Sequence, residues 1–247
     1  FLFEKLRLSP NENYDGNQDL TDDYNLNQKK YVYSSLYNSS KTIALQDSEK
    51  AHARSLLGLR AMASNPISRS ALRLFYKPKE LEVTRFDMAY KNPFGLAAGM
   101  DKRAEALRGW ESLGLGFIEI GGVTAEEQPG NPKPRMFRSG SSRALVNRMG
   151  FNNPGSENIA RKLDQHIARF GQPQVPLWAN LGKSKNTPLT DAPMDYATTM
   201  RRLWTYCDVF VINVSSPNTP NLRELQHDTA VSYTHLRAHE TLRYLVC

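Results

Sequence analysis

Two regimes of hydrophobic patterning divide the chain. Between residues 47 and 75 apolar side chains recur every three or four positions, with Leu56, Leu59 and Ala63 on one stripe and Ile67, Ala71, Leu74 and Phe75 on a second. That period marks an amphipathic helix. Asp47 supplies a cap with Glu49 in the first turn, and Pro66 after Asn65 restarts a helix because proline is tolerated at its first position. Two amphipathic helices in tandem are predicted. From Asn92 onward short apolar runs alternate with helical stripes: 94–98, 117–120, 177–180 and 209–214 read as strands, and 103–113, 154–170 and 192–206 as helices. Strands with little polar alternation, separated by helices, belong to a parallel sheet covered on its faces. Residues 9–31 are rich in Asn, Asp and Gln and nearly devoid of aliphatic side chains. They cannot bury enough surface to offset ordering and are expected to be a flexible insertion.

Composition narrows the class. The 247 residues are 40% hydrophobic and 23% charged, with 15 Gly and 14 Pro, which excludes collagen-like, low-complexity and wholly disordered chains. No eighteen apolar residues follow one another, and residues 1–9 lack the order of a signal peptide, so spanning and secretion have no support. A chain that starts with Phe is expected to be a fragment. Cys207 and Cys247 are too few for a disulfide framework and wrongly spaced for zinc, which fits a reducing compartment. No His–carboxylate cluster calls for a metal. The net charge of +7 is uneven: the first fifty residues hold 6 basic and 8 acidic side chains, the remainder 26 and 17. Such a surplus suits anionic small molecules, lipid head groups or nucleic acid. Nucleic acid loses support because no zinc-finger spacing, basic heptad helix or RNP-like strand is present.

Chemistry-bearing residues gather at the carboxyl ends of the predicted strands, which share one side of a parallel α/β fold. After the first strand comes the turn Ala98-Gly99-Met100-Asp101-Lys102, where small residues let a planar ring or phosphate approach the backbone and Lys102 adds a cation. The plain alternative is a tight turn with a solvated lysine. Gly121-Gly122 ends the second strand, Asn180 the third, and Asn213, Ser216 and Asn218 follow the fourth. Between the second and third strands, Asn147, Arg148, Met149, Gly150 and Phe151, continued by Asn152 and Asn153, concentrate amide groups ahead of a helix. Amides match a planar imide or carboxylate, although turn chemistry and capping account for Asn153. Ser216 has no histidine within a few residues and no G-x-S-x-G elbow, so a serine hydrolase is not signalled.

These stretches resemble the quinone-dependent (class 2) dihydroorotate dehydrogenases of pyrimidine biosynthesis. The motifs are EKAH, NPFGLAAGMDK, GFIEIGGVT, QPGNPKPRMFR, NRMGFNN, ANLGKSKNTP and INVSSPNTPNLRELQ, in family order from about Asp47 to Gln226. The resemblance implies a (β/α)8 TIM barrel with FMN at the carboxyl face of the strands, of which residues 81–226 are the first half. It implies an N-terminal two-helix quinone-binding extension at 47–80, after a flexible polar segment at 1–46. Ala98, Gly99, Lys102, Gly122, Asn180 and Asn213 would line the flavin. Lys102, Asn147, Arg148, Met149, Gly150, Phe151, Asn213 and Asn218 would bind dihydroorotate, and Ser216 would remove its C5 proton as C6 yields hydride to the flavin. That serine sets this class apart from relatives that use cysteine. His52 and Arg138 match positions at the tunnel for ubiquinone or menaquinone. The reading implies peripheral attachment to the cytoplasmic face of a bacterial inner membrane, with a mitochondrial inner membrane as the alternative. Arg54, Arg60, Arg69 and Arg73 would meet lipid phosphates.

Three departures stand out. Gly122 sits where relatives usually carry a Thr or Ser that bonds the flavin, a difference of about 1 kcal/mol. Residues 9–31 have no family counterpart. The 227–247 tail stops matching after Gln226 and reads as an artefactual addition. A sheet ending after the fourth strand would leave an open edge, and the chain as written is expected not to hold FMN. Another FMN-dependent barrel oxidoreductase, or a non-catalytic membrane-surface module, are the competing readings.

Overall fold

The computed structural model describes residues 47–78, 81–139, 144–216 and 222–226, and the backbone of 244–246. The expectations for residues 1–46, with the polar stretch 9–31 among them, for Asn218 and for 227–243 lie outside them. The chain divides into two compact units, Phe1–Ala51 and His52–Cys247. The described part of the first is the opening turn of α1 (Ser48–Ser64), where Asp47 Oδ1 accepts from the Glu49 and Lys50 backbone N–H groups at 3.1 and 3.0 Å.

The second unit opens with the rest of α1. Its stripe holds as predicted: Leu56 and Ala63 are buried, and Leu59 packs against Gly109. In α2 (Pro66–Phe75), Asn65 does more than precede a proline. Its Oδ1 accepts from Ile67 N at 2.8 Å and Ser68 N at 3.4 Å, so two of the orphan donors at the helix start are partnered. Leu72 turns inward, while the predicted stripe faces outward, with Ile67, Leu74 and Phe75 at 81%, 80% and 72% exposure.

An antiparallel hairpin of β1 (Val83–Arg85) and β2 (Met88–Tyr90) precedes the main sheet. That sheet is parallel throughout, in the order β3 (Gly95–Leu96), β4 (Phe117–Val123), β7 (Leu177–Leu181), β8 (Val209–Ile212) and β9 (Tyr244–Val246). Helices α3 (Leu107–Ser112), α4 (Ser156–Phe170) and α5 (Ala192–Leu203) link successive strands, so the unit is an α/β structure. An antiparallel ribbon of β5 (Met136–Ser139) and β6 (Ala144–Asn147) lies in the long β4–α4 connection.

Several expected boundaries shift for identifiable reasons. The helix expected from 103 begins at Leu107, because the fully buried Asp101 accepts from Glu105 N, Ala106 N and Trp110 Nε1 at 2.8, 2.9 and 3.1 Å and holds 101–106 in a turn. The first strand shrinks from 94–98 to two residues, and the fourth stops at Ile212 rather than 214. The second extends past 120 to Val123, where it bonds β7. The expectation of a sheet ending at its fourth strand is corrected by β9, which occupies the outer edge of β8.

Alternate positions on the strands point to opposite faces. Ile118, Ile120, Leu177, Ala179 and Phe210 join Leu107, Ile159, Leu163 and Leu203 in one core cluster. A fully buried aliphatic side chain contributes about 1.5–3 kcal/mol, so this layer holds the helices to the sheet. The intervening positions carry Phe117 and Trp178, stacked at 4.5 Å, and further along the same face Glu119 and Asn180. The polar members lie toward the carboxyl ends.

Candidate active site

Backbone bonds carry the strand order beyond the strands themselves. Gly99 N donates to Gly121 O at 2.7 Å, Gly182 N to Val123 O at 2.8 Å and Asn213 N to Leu181 O at 2.9 Å. These links place the carboxyl-end residues of β3, β4, β7 and β8 side by side. Gly99 adopts φ +101°, a conformation costly for other residues, and nothing lies within 4 Å of where its Cβ would be. An open approach to the backbone results there.

Across the same tips runs a connected set of side chains. Glu119 accepts from Ala98 N at 3.1 Å through Oε2 and from Asn180 Nδ2 at 2.8 Å through Oε1. Asn213 Nδ2 donates to Asn180 Oδ1 at 3.0 Å, and Asn213 Oδ1 accepts from Ser215 N and Oγ at 3.1 and 2.9 Å. Asn180 is buried and Asn213 half-buried. Tyr196, from α5, donates its hydroxyl to Asn213 O at 3.1 Å. Burial first, then the nearby Asp195, push that phenol far above its usual range, so it stays a donor. Ser216 follows, half-buried, at the end of the described part of this loop.

The NRMGFNN stretch is tied to these tips at its far end. Asn153 is buried and brackets β4: its Oδ1 accepts from Thr124 N and Gly155 N, and its Nδ2 donates to Thr124 Oγ1 and Phe151 O. Its capping role is therefore wider than a turn. Lys102 Nζ donates to Asn152 Oδ1 at 2.6 Å, which joins the first turn to this stretch. The Phe151 ring lies between two glycines: a Cβ on Gly122 would sit 2.7 Å from it and one on Gly182 3.3 Å. At Gly122, where a Thr or Ser was the family expectation, an aromatic edge fills the space.

Other predicted residues sit apart in the bonding pattern. Asn147, exposed on β6, accepts weakly from Met149 N at 3.5 Å, and Arg148 donates to Pro134 O at 3.1 Å with its guanidinium over Phe137. Met149 O and Gly150 O accept from Asn131 N and Gln128 Nε2. These bonds fix the loop to residues 128–135 rather than to the strand tips. Arg138 is exposed on β5, and His52 is half-buried on α1. Asn218 lies outside the described residues. Among those residues no group of His, Cys, Asp and Glu could hold a metal.

Sequence reasoning missed Glu119, Asp101, Asn153 as a hub, and Lys183. The Lys183 ammonium is buried, donates to Ser184 O at 2.8 Å and to Thr187 O, and is held below its usual value by burial, partly offset by Asp195. Asp195 accepts from Ser184 N and Thr187 Oγ1, so the loop after β7 is clamped to α5. One signal was available: Glu119 and Asn180 each follow an aromatic residue by two positions in a strand, which puts them on one face.

The family pattern described as dihydroorotate dehydrogenase matches residues 80–245. A "dihydroorotate dehydrogenase (quinone)" of Gloeobacter violaceus is 50% identical over 182 residues, covering 73% of this chain and 50% of that protein. The protein of the same description from Thermus thermophilus is 50% identical over 183 residues, at 73% and 52% coverage. The crystal structure of the dihydroorotate dehydrogenase of Eimeria tenella with ferulenol superposes with a TM-score of 0.60 at 32% identity, covering 71% of this chain and 50% of that one. The chain thus spans about half the length of the relatives it matches.

Proposed function

The chain belongs to the dihydroorotate dehydrogenase family, in its quinone-linked class, and from that premise we propose that its strand tips are half of a centre that oxidises (S)-dihydroorotate to orotate. The observation that carries the reading is the joining of Ala98, Asn180 and Asn213 through Glu119 into one hydrogen-bonded row beside the open backbone at Gly99. At the length of its relatives the parallel sheet would close into a (β/α)8 barrel, whose carboxyl face hosts ligands.

The donor set fits a flat, oxygen-bearing ring: two amide side chains, open backbone at Gly99, and Lys102 as a cation. Ala98, Gly99, Lys102, Gly122, Asn180 and Asn213 would hold FMN, which when bound supplies a two-electron acceptor that a quinone can reoxidise. Lys102, Asn147, Asn213 and Asn218 would orient the substrate ring and carboxylate, with Arg148 to Phe151 shaping the loop above. The Ser216 hydroxyl would take the C5 proton. A neutral serine is a weak base, so its efficiency depends on positioning and on a substrate proton already acidified by the adjacent carbonyl. His52 and Arg138 would face the quinone, and the outward stripe of α2 would rest in the bilayer surface.

The test is dihydroorotate-dependent dye reduction by the chain completed to the length of its relatives, with Ser216→Ala alongside. Loss of turnover at neutral pH with orotate binding retained is the expected result. Full activity of Ser216→Ala would remove the assigned base.

A further inference from the structure

We propose that Glu119 is a positioning residue that fixes the hydrogen-bonding polarity of Asn180 and Asn213, and thereby makes Asn213 a donor-only contact for the ring held at the strand tips. This deepens the reading above and rests on it.

An asparagine amide can turn by 180° and exchange its donor and acceptor ends, so its recognition of a ligand is undefined until its neighbours choose for it. Here the choice is made at both ends of the row. Both Glu119 oxygens accept, Oε2 from the Ala98 backbone N–H and Oε1 from Asn180, so Glu119 requires the amino end of Asn180, at 2.8 Å. Asn180 Oδ1 then faces Asn213 and requires its amino end, at 3.0 Å. Asn213 Oδ1 is left facing the Ser215 backbone N–H, at 3.1 Å, which can only donate. The two termini demand the same direction. Turning Asn180 alone would set oxygen against the Glu119 carboxylate and N–H against N–H at Asn213.

Asn213 Oδ1 already accepts twice from Ser215, and one of its N–H groups is spent on Asn180. One N–H remains. Asn180 keeps one N–H and one lone pair. A ligand must therefore offer Asn213 a carbonyl or carboxylate oxygen. A ring N–H at that point would face a donor, a mismatch worth roughly tenfold to a hundredfold in affinity. Glu119 also holds Ala98 N at 3.1 Å, so the same carboxylate sets the β3 tip.

A double-mutant cycle tests polarity separately from packing. In Glu119→Gln one amide oxygen must serve two donors, Ala98 N and Asn180 Nδ2. In Asn213→Asp two carboxylates compete for one amino end. In the combined Glu119→Gln, Asn213→Asp variant every internal bond can form again in reverse, from Gln Nε2 to Asn180 Oδ1 and from Asn180 Nδ2 to the new Asp. Urea unfolding of the chain should show each single change destabilising and the pair recovering at least half of the combined loss. A single variant that fails to fold still leaves the prediction that the double one does. Additive losses overturn the proposal.

The second arm uses the chain completed to the length of its relatives and loaded with FMN, titrated with orotate through the flavin spectrum. Orotate affinity should fall at least tenfold in the double variant, because reversal restores the row but not the donor at 213. Unchanged affinity in the double variant overturns the donor-only assignment. If the completed, unsubstituted protein binds neither FMN nor orotate, the functional reading fails, while the unfolding cycle still decides the role of Glu119.

Discussion

At the scale of single residues, the most consequential groups are carboxylates that accept from several donors at once. Asp101 is fully buried and serves two backbone N–H groups and the Trp110 indole. Its replacement by Ala leaves those donors without partners, and an expected loss of about 3 kcal/mol should appear as a lower urea midpoint at unchanged slope. His166 gives a pH signature. Burial holds its imidazole below the ordinary value, so the folded chain binds that proton more weakly than the unfolded chain. Stability from this site is fully present above about pH 6.5 and declines as pH falls further. His166→Gln should therefore lose less stability than the parent between about pH 7 and 5, and the imidazole should titrate by NMR with a midpoint under 6.5. A steeper decline in the variant would reverse the sign of the argument.

At the scale of elements, local chemistry decides where helices begin and tertiary context decides what their faces meet. The Asn65 side chain accepts from two N–H groups at the start of α2, and Asn65→Ala should cost about 1 kcal/mol in a thermal melt. The outward apolar stripe of α2 has a separate consequence. If it rests on a bilayer, Leu74→Glu with Phe75→Glu should abolish co-sedimentation with anionic vesicles while leaving the melt within a few tenths of a kcal/mol, since both side chains are already exposed. Co-sedimentation that survives both charges would assign membrane contact elsewhere.

Across the whole molecule, the sheet has the parallel order that short apolar runs between helices predicted, and the tips of β3, β4, β7 and β8 adjoin as that order requires. The stripe of α1 was legible because 3.6-residue periodicity is a property of one segment. Glu119 was legible only as to its face, from its spacing after Phe117; its bond to Asn180 was not, because a carboxylate inside a strand reads as a break in an apolar run until register brings the two strands together. The start of α3 was misjudged for a similar reason: Asp101 acts four and five residues ahead, through side-chain bonds that periodicity does not encode. The strand β9 escaped because its partner, β8, is some thirty residues away. The sheet's outer members, β3 and β9, each have a single neighbour among the described residues. Open edges template further pairing, so sedimentation should show self-association rising with protein concentration. A monomer throughout the range would mean that both edges are covered.

The aromatic wedge between Gly122 and Gly182 has an evolutionary corollary. With the Phe151 ring only 2.7 Å from the place a side chain at 122 would begin, a hydroxyl-bearing residue there and a ring in this seat exclude one another. Position 122 and the resting pose of the ring should therefore change hands together across lineages: a homologue that gains Thr at the first must swing the second aside, and one that keeps Gly is free to leave the ring where it lies.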